Sequence, residues 1–373
     1  MTVSLRIPEN TTDYLGQVGE LIHLPSDADV VTDGLRTWIK SGHQVLASEY
    51  PDFPIEFRNK NNMFNFTNAN FPLYKYWNHI AYGNGMYVVM HGAVGGTTVA
   101  VSSPDGINWT QRTVPNANYS GLAYGMGRFV AIGRSSNIAA ISTDGITWTQ
   151  QTLPSTSNWN AIIFVNNKFI CIAKDSANSC CSSDGITWTT VPLPSSAAWQ
   201  SIAYGNSTFV AISSGASSVA ISSTPNDTFG NSWTTASIQI SGNWADITFG
   251  NGLFVMMVYA SNICATSKDG KVWTVNKLPV VGWWKYVKYF NGIFIMIQED
   301  SGSGNVYLVS DDGINWTVKY FGLNQTINCM CYNDTVKKIV GIFSSQNKAV
   351  ICDMNIDTIG VASHSPGLYL RVK

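Results

Sequence analysis

Charge is what this chain has least of. Asp, Glu, Lys and Arg together make up 12% of its 373 residues, and the formal net charge is −1. With no basic stripe to follow a phosphate backbone, nucleic acid is excluded as a partner. No apolar run approaches the ~18 residues of a membrane-spanning helix, which excludes membrane insertion by that route. The opening Met1-Thr2-Val3-Ser4-Leu5-Arg6-Ile7 is not built like a secretory signal, so synthesis in a cytoplasm is expected. Seven cysteines contain no CxxC pair, so no metal site and no cofactor are expected. Their odd number reads as reduced, buried thiols, with Cys171 near Cys180 and Cys181, and Cys329 and Cys331 near Cys352. Apolar residues do not recur at three and four positions in the repeat region, which argues against helices. Heptads are absent too, so nothing coiled-coil enforces a trimer, although a homo-oligomer of that size remains an expectation.

What the chain does have is a repeat. A Ser-x-Asp-Gly-x-x-Trp-Thr cassette, or a remnant of it, returns seven times at intervals of about 40 residues, the signature of a repeat array. Ser142–Thr149, Ser182–Thr189 and Ser310–Thr317 are the cleanest copies; Ser103–Thr110 and Ser267–Thr274 follow closely. A stretched copy runs from Ser223 to Thr234 and keeps Asp227 and Trp233. Around each cassette, short alternating runs are punctuated by Gly, Asn, Asp and Pro, as in antiparallel meanders. In one unit the four predicted strands are Tyr119–Gly125, Arg128–Ile132, Ile138–Ser142 and Thr147–Leu153.

Aromatic residues mark the same positions in successive units. Trp77, Tyr119, Trp159, Trp199, Trp244 and Trp284 open the first strand, with Ile327 in the last unit. Five residues on stand Tyr82, Tyr124, Phe164, Tyr204, Phe249, Tyr289 and Tyr332, and a third aromatic sits in the second strand of six units. The last unit has three strands and no cassette. Its missing strand precedes the first unit, where Asn65–Pro72 aligns without a gap on Asn108–Pro115. The expectation is all-β: a seven-bladed β-propeller of four-stranded antiparallel blades over residues 57–356. An N-terminal strand closes the ring, since closure removes an exposed sheet edge.

The cassette resembles the Asp-box, or bacterial neuraminidase repeat, with its glycine moved next to the aspartate. In the turn between strands three and four, Asp105, Asp144, Asp184, Asp227, Asp269 and Asp312 are read as accepting hydrogen bonds from turn amides. The glycine supplies positive φ, and Trp109, Trp148, Trp188, Trp233, Trp273 and Trp316 pack over the turn. These are copies of one group on separate blades, so the reading is structural rather than catalytic. A sialidase, as the resemblance implies it, needs an arginine triad, a Tyr nucleophile with a Glu partner and an acidic proton donor. Between residues 57 and 356 there are Arg58, Arg112, Arg128 and Arg134, and one glutamate, Glu299. No catalytic residue and no enzyme activity are therefore expected.

The ends carry the context. Asp33–Gly42, with Trp38-Ile39-Lys40-Ser41-Gly42, followed by Ala47–Pro54, resembles a segment of bacteriophage tail-fibre and tail-associated proteins, as does the ending Tyr369–Lys373. The resemblance implies a virion structural protein of a phage tail, fibre or baseplate, made in the host cytoplasm, with other tail or baseplate proteins as partners. Residues 1–56 then form a small N-terminal β module for attachment with a Pro-rich connector, and residues 357–373 a C-terminal tail.

The loops between strands two and three, and those between blades, share one face opposite the Asp-Gly turns. Variable loops on a fixed scaffold suit recognition. Tyr74, Tyr76, Arg134, Tyr259 and Trp283 are the candidate ligand-binding residues, aromatic planes beside Asn and Ser being suited to sugar rings or a protein partner. His79, Gly121, Ala161, Ser201, Asp246 and Tyr286 fall two residues after the opening position and are expected to line the channel. Host-surface or glycan binding leads. A purely architectural or decoration subunit is the alternative, and a sialidase-like glycoside hydrolase stands behind it.

Overall fold

A computed structural model describes residues 21–23, 30–32, 37–40, 44–46, 65–223, 233–299, 306–320, 327–343, 347–353, 358–360 and 368–371. The chain divides into two compact units, Phe66–Ile351 and a second one formed by Met1–Asn65 with Cys352–Lys373. In the second unit, the strand Leu368–Arg371 lies between Leu21–His23 and Thr37–Lys40, with Val30–Thr32 outside. Thr358–Gly360 pairs with Gln44–Leu46. The residues expected as a separate tail therefore supply strands to the N-terminal module, which is built from both ends of the chain. The connector Tyr50–Pro54 lies outside the described residues.

The larger unit is an all-β propeller of four-stranded antiparallel blades. One blade runs from an inner strand Tyr119–Gly125 through Arg128–Gly133 and Ser136–Ser142 to an outer strand Thr149–Ser157. The outer strand begins later than the sequence predicts, because Asp144–Trp148 are held in the turn. It also continues past Pro154, which an edge strand tolerates because its outward N–H needs no ladder partner. Where seven sheets were expected, six are separately formed among the described residues, and one of these has six strands. The reason is local: Thr208–Ser223 and Thr234–Gly250 run on without a break and fuse two neighbouring repeats. Each of these long strands changes partner halfway. Thr208–Ser213 pairs with Trp199–Gly205, while Ser218–Ile221 pairs with Thr234–Ser237. Trp244–Gly250 then pairs with Leu253–Val258. A further sheet has the order Ile327–Asn333, Lys338–Phe343, Lys348–Asp353, Asn65–Asn70, with the N-terminal strand outermost.

The opening aromatics are the core of this unit. Trp77, Trp159, Trp244 and Trp284 are wholly buried, and Tyr119, Trp199 and Ile327 nearly so. Each such side chain contributes about 1.5–3 kcal/mol by burial. The second and third aromatic slots face each other across the first two strands, as in Tyr124 against Phe129 at 4.8 Å and Tyr204 against Phe209 at 4.4 Å. A cassette tryptophan stacks beyond, for example Trp273 at 6.4 Å from Phe254.

The cassette turn is a small hydrogen-bonded knot. In the third unit Asp184 Oδ1 accepts from the amides of Ile186 at 2.8 Å and Thr187 at 2.7 Å, and from Ser182 Oγ at 2.8 Å. The Gly185 amide donates to Ser182 Oγ at 2.7 Å. The same bonds form at Asp105, Asp144, Asp269 and Asp312. Asp227 lies outside the described residues; Trp233 packs, partly buried, against the core around Trp199. Gly185, at φ +70°, does more than turn the chain: a Cβ there would stand 2.9 Å from Val130 of the preceding blade. Gly145, Gly270 and Gly313 meet Val88, Val210 and Val255 in the same way. The cassette thus seals one blade against the last.

These turns also set an acid limit. The amides of Ile186 and Thr187 hold the Asp184 carboxyl down at about 2, and those of Asp105, Asp144, Asp269 and Asp312 are lowered as well. A carboxyl whose pKa is depressed by folding contributes stability above its unfolded value near 4, and loses it as pH falls toward the folded value. The urea midpoint should therefore be level above about pH 5 and fall between about pH 4 and 2. Asp184→Asn should shallow that fall; an unchanged profile in the variant would assign acid sensitivity elsewhere.

Candidate functional site

Each inner strand carries a bulge directly after its opening residue, at Asn78, Ser120, Asn160, Gln200, Ala245, Lys285 and Asn328. A bulge leaves one residue unpaired and re-aims its side chain. Four of these residues, Ser120, Asn160, Lys285 and Asn328, reach the neighbouring inner strand with their freed side chains. Ser120 Oγ donates to the Trp159 carbonyl at 2.7 Å, and Asn160 Nδ2 to the Trp199 carbonyl at 3.2 Å. Asn328 Nδ2 donates to the Trp77 carbonyl at 2.8 Å, across 251 positions of sequence. Ser201 Oγ reaches Asp246 at 2.6 Å, and Lys285 Nζ reaches Asn328 Oδ1 at 3.2 Å. A bond between His79 and the Tyr119 backbone, and one from the Val287 amide to Asp246, complete the circuit.

Inside this circuit lies a cavity of about 580 Å³. All six residues expected in the channel line it: His79, Gly121, Ala161, Ser201, Asp246 and Tyr286. Its rim is made by residues that close the second strands or open the loops after them, among them Arg134, Ser214, Tyr259 and Glu299. A smaller cavity of about 140 Å³ adjoins His79, Tyr286 and Lys288 and reaches Cys329 and Met330.

The cavity wall is polar and largely self-satisfied. Asp246 is buried, and its Oδ1 accepts from Ser201 Oγ and from the Ile247 amide at 3.0 Å. Its Oδ2 accepts from the Val287 amide at 3.1 Å and from Lys288 Nζ at 2.9 Å. Glu299 takes Lys285 Nζ at 2.7 Å and the Tyr259 hydroxyl at 2.9 Å. Burial works to raise the Glu299 carboxyl, but those two donors win and lower it. Tyr286 lies between two ammonium groups, Lys285 at 5.6 Å and Lys288 at 5.8 Å from its ring, and burial pushes its hydroxyl well up. Burial first, then the charges of Arg134 and Lys285, push the His79 imidazole down to about 4. It is therefore neutral at physiological pH.

The five candidate residues do not converge. Arg134 and Tyr259 line the cavity. Trp283 is outside the lining but adjoins it: its ring lies 5.9 Å from that of Tyr259, and it is 46% exposed. Tyr74 and Tyr76 are each 59% exposed and pair with one another at 6.4 Å, away from the cavity lining. The residues missed by sequence reasoning are Asn160, Lys285, Lys288 and Asn328. Asn160, Lys285 and Asn328 did carry a signal, a polar residue directly after the opening position, but its meaning depends on a bulge that composition does not announce; Lys288, four residues after Trp284, carried none. Among the described residues no group of three or more His, Cys, Asp or Glu side chains could hold a metal ion. Cys171, Cys180, Cys181, Cys264, Cys329 and Cys331 carry free thiols.

No protein-family model matches this chain, and no curated protein sequence does. Solved structures do resemble it in fold. A catalytically inactive virginiamycin B lyase from Staphylococcus aureus with quinupristin has 12% sequence identity and a TM-score of 0.66, covering 78% of this chain and 99% of that one. YCF48 bound to D1 peptide has 14% identity and a TM-score of 0.61, covering 79% and 96%. YCF48 from Cyanidioschyzon merolae has 11% identity and a TM-score of 0.60, covering 77% and 98%. At these identities the likeness is one of β-propeller fold.

Proposed function

We propose that this chain is a non-catalytic binding protein of a bacteriophage tail, fibre or baseplate. Its two-ended unit mounts on other virion proteins, and its propeller meets the host cell surface through the loop face. The ring in this reading has seven blades. The six-stranded sheet is two blades sharing the long strands Thr208–Ser223 and Thr234–Gly250, and Asn65–Asn70 is the outer strand that closes the last blade.

The observation that carries the binding role is the rim of the central cavity. There the exposed Trp283 ring leans on Tyr259, whose hydroxyl is fixed by Glu299. An aromatic plane held in place beside Asn, Ser and Arg suits a sugar ring. Hydrolysis is disfavoured by the same geometry. Glycosidases use two carboxylates free to exchange protons with substrate, whereas Asp246 has four donors on it. The phage assignment rests on the resemblance of Asp33–Gly42, Ala47–Pro54 and the ending Tyr369–Lys373 to phage tail proteins.

A second reading has its own observation. Ile107, Ile146, Ile186, Val272 and Ile314, on the turn face, are 41–74% exposed and favour an architectural contact with another virion protein. Purified chain on glycan arrays and whole bacteria separates the two. Trp283→Ala should reduce binding about tenfold with the circular dichroism spectrum unchanged. Undiminished binding would move the contact to the turn face, and turnover of a polysaccharide would overturn the non-enzyme reading.

A further inference from the structure

Charge in the central cavity does not balance. Three cations line it: Arg134, Lys285 and Lys288. Lys285 is paired with Glu299 at 2.7 Å and Lys288 with Asp246 at 2.9 Å. Arg134 is, among the described residues, the lining cation with no carboxylate partner; it donates instead to Asn160 Oδ1 at 3.2 Å. Asn160 is itself anchored by the carbonyls of Trp199 and Gln200, so it orients the guanidinium without neutralising it. With His79 neutral, the cavity keeps one positive charge.

We propose that this cavity takes a carboxylate-bearing sugar unit of a surface polysaccharide, its carboxylate on the Arg134 guanidinium and its ring beside Tyr259. A guanidinium with one N–H on Asn160 retains enough donors to grip a carboxylate with two parallel bonds. A monoanion matches the single spare charge. A phosphate dianion would leave a second negative charge in a cavity already holding Glu299 and Asp246, where an uncompensated charge is costly. The volume, about 580 Å³, falls in the range of sites that enclose small ligands. This inference rests on the reading of the loop face as a glycan-binding surface.

Calorimetric titration of the full chain with oligogalacturonate, its methyl ester, oligosialate and inorganic phosphate tests it. At least one acidic oligosaccharide should bind about tenfold more tightly than the neutral ester, the margin of one charge-assisted contact. Raising salt should narrow that margin. Arg134→Gln should erase the difference, and Arg134→Lys, which keeps the charge but not the fork, should restore part of it. Equal affinity for acid and ester, indifference to Arg134→Gln in a folded variant, or displacement of the acid by equimolar phosphate would each overturn the proposal. If Trp283→Ala abolishes binding of acid and ester alike while Arg134→Gln changes neither, the loop face stands and the cavity assignment falls. If none of the oligosaccharides binds and whole cells are not bound, both fall.

Discussion

Asp246→Ala should cost about 2–4 kcal/mol of folding stability, more than any other single change on the cavity wall. The reason is position. This carboxylate holds Ser201 of one inner strand, the Ile247 amide of its own, and the Val287 amide with Lys288 of a third. Truncation leaves two backbone N–H groups pointing into the wall with no acceptor, and unsatisfied buried donors cost about 1–3 kcal/mol each. Lys288 is 37% exposed and would turn to water, so the loss of the ion pair is the smaller part. Lys288→Ala should accordingly cost under about 1 kcal/mol. Urea denaturation of the two variants decides the matter; equal midpoints for both would show that Asp246 does not brace three strands.

Gly125→Ala should destabilise the propeller by about 1–3 kcal/mol, the usual cost of overfilling a packed core. Gly125 ends an inner strand, and an added Cβ would lie 2.1 Å from the ring of Phe164 in the next blade. Gly83, Gly205 and Gly250 are covered in the same manner by Tyr124, Phe249 and Tyr289. Removing the covering ring should relieve the clash, so Phe164→Ala combined with Gly125→Ala should be more stable than the sum of the separate effects. Strict additivity in that cycle, read by thermal unfolding, would remove inter-blade contact as the cause.

Much of this fold was legible because it is written locally and repeatedly. An aromatic at six of the seven opening positions, another five residues on and an Asp-Gly turn recur in register, and the tryptophans at those openings are indeed buried. The cassette's hydrogen bonds also follow from its own residues, all within three positions of one another. What was not legible is what joins blades. That Gly185 meets Val130, or that Asn328 meets Trp77, depends on which strands become neighbours once the sheets stack. Strand fusion was hidden for a similar reason: nothing between Ser213 and Ser218 looks less like a turn than the equivalent loops do. The candidate site was half legible. Arg134 and Tyr259 were reachable by loop position, whereas the pairing of both lysines, which isolates Arg134 as the spare charge, required coordinates.

The bulge at the head of every inner strand has one more consequence. Since the links it permits pass from Asn328 on to Trp77, no inner strand is terminal, and the release of any one of them breaks a bond on each side. Linear repeat arrays melt from their ends; a hoop has none to melt from. The amides nearest the lumen should exchange with solvent deuterium only when the whole molecule opens, while the outer turns exchange freely.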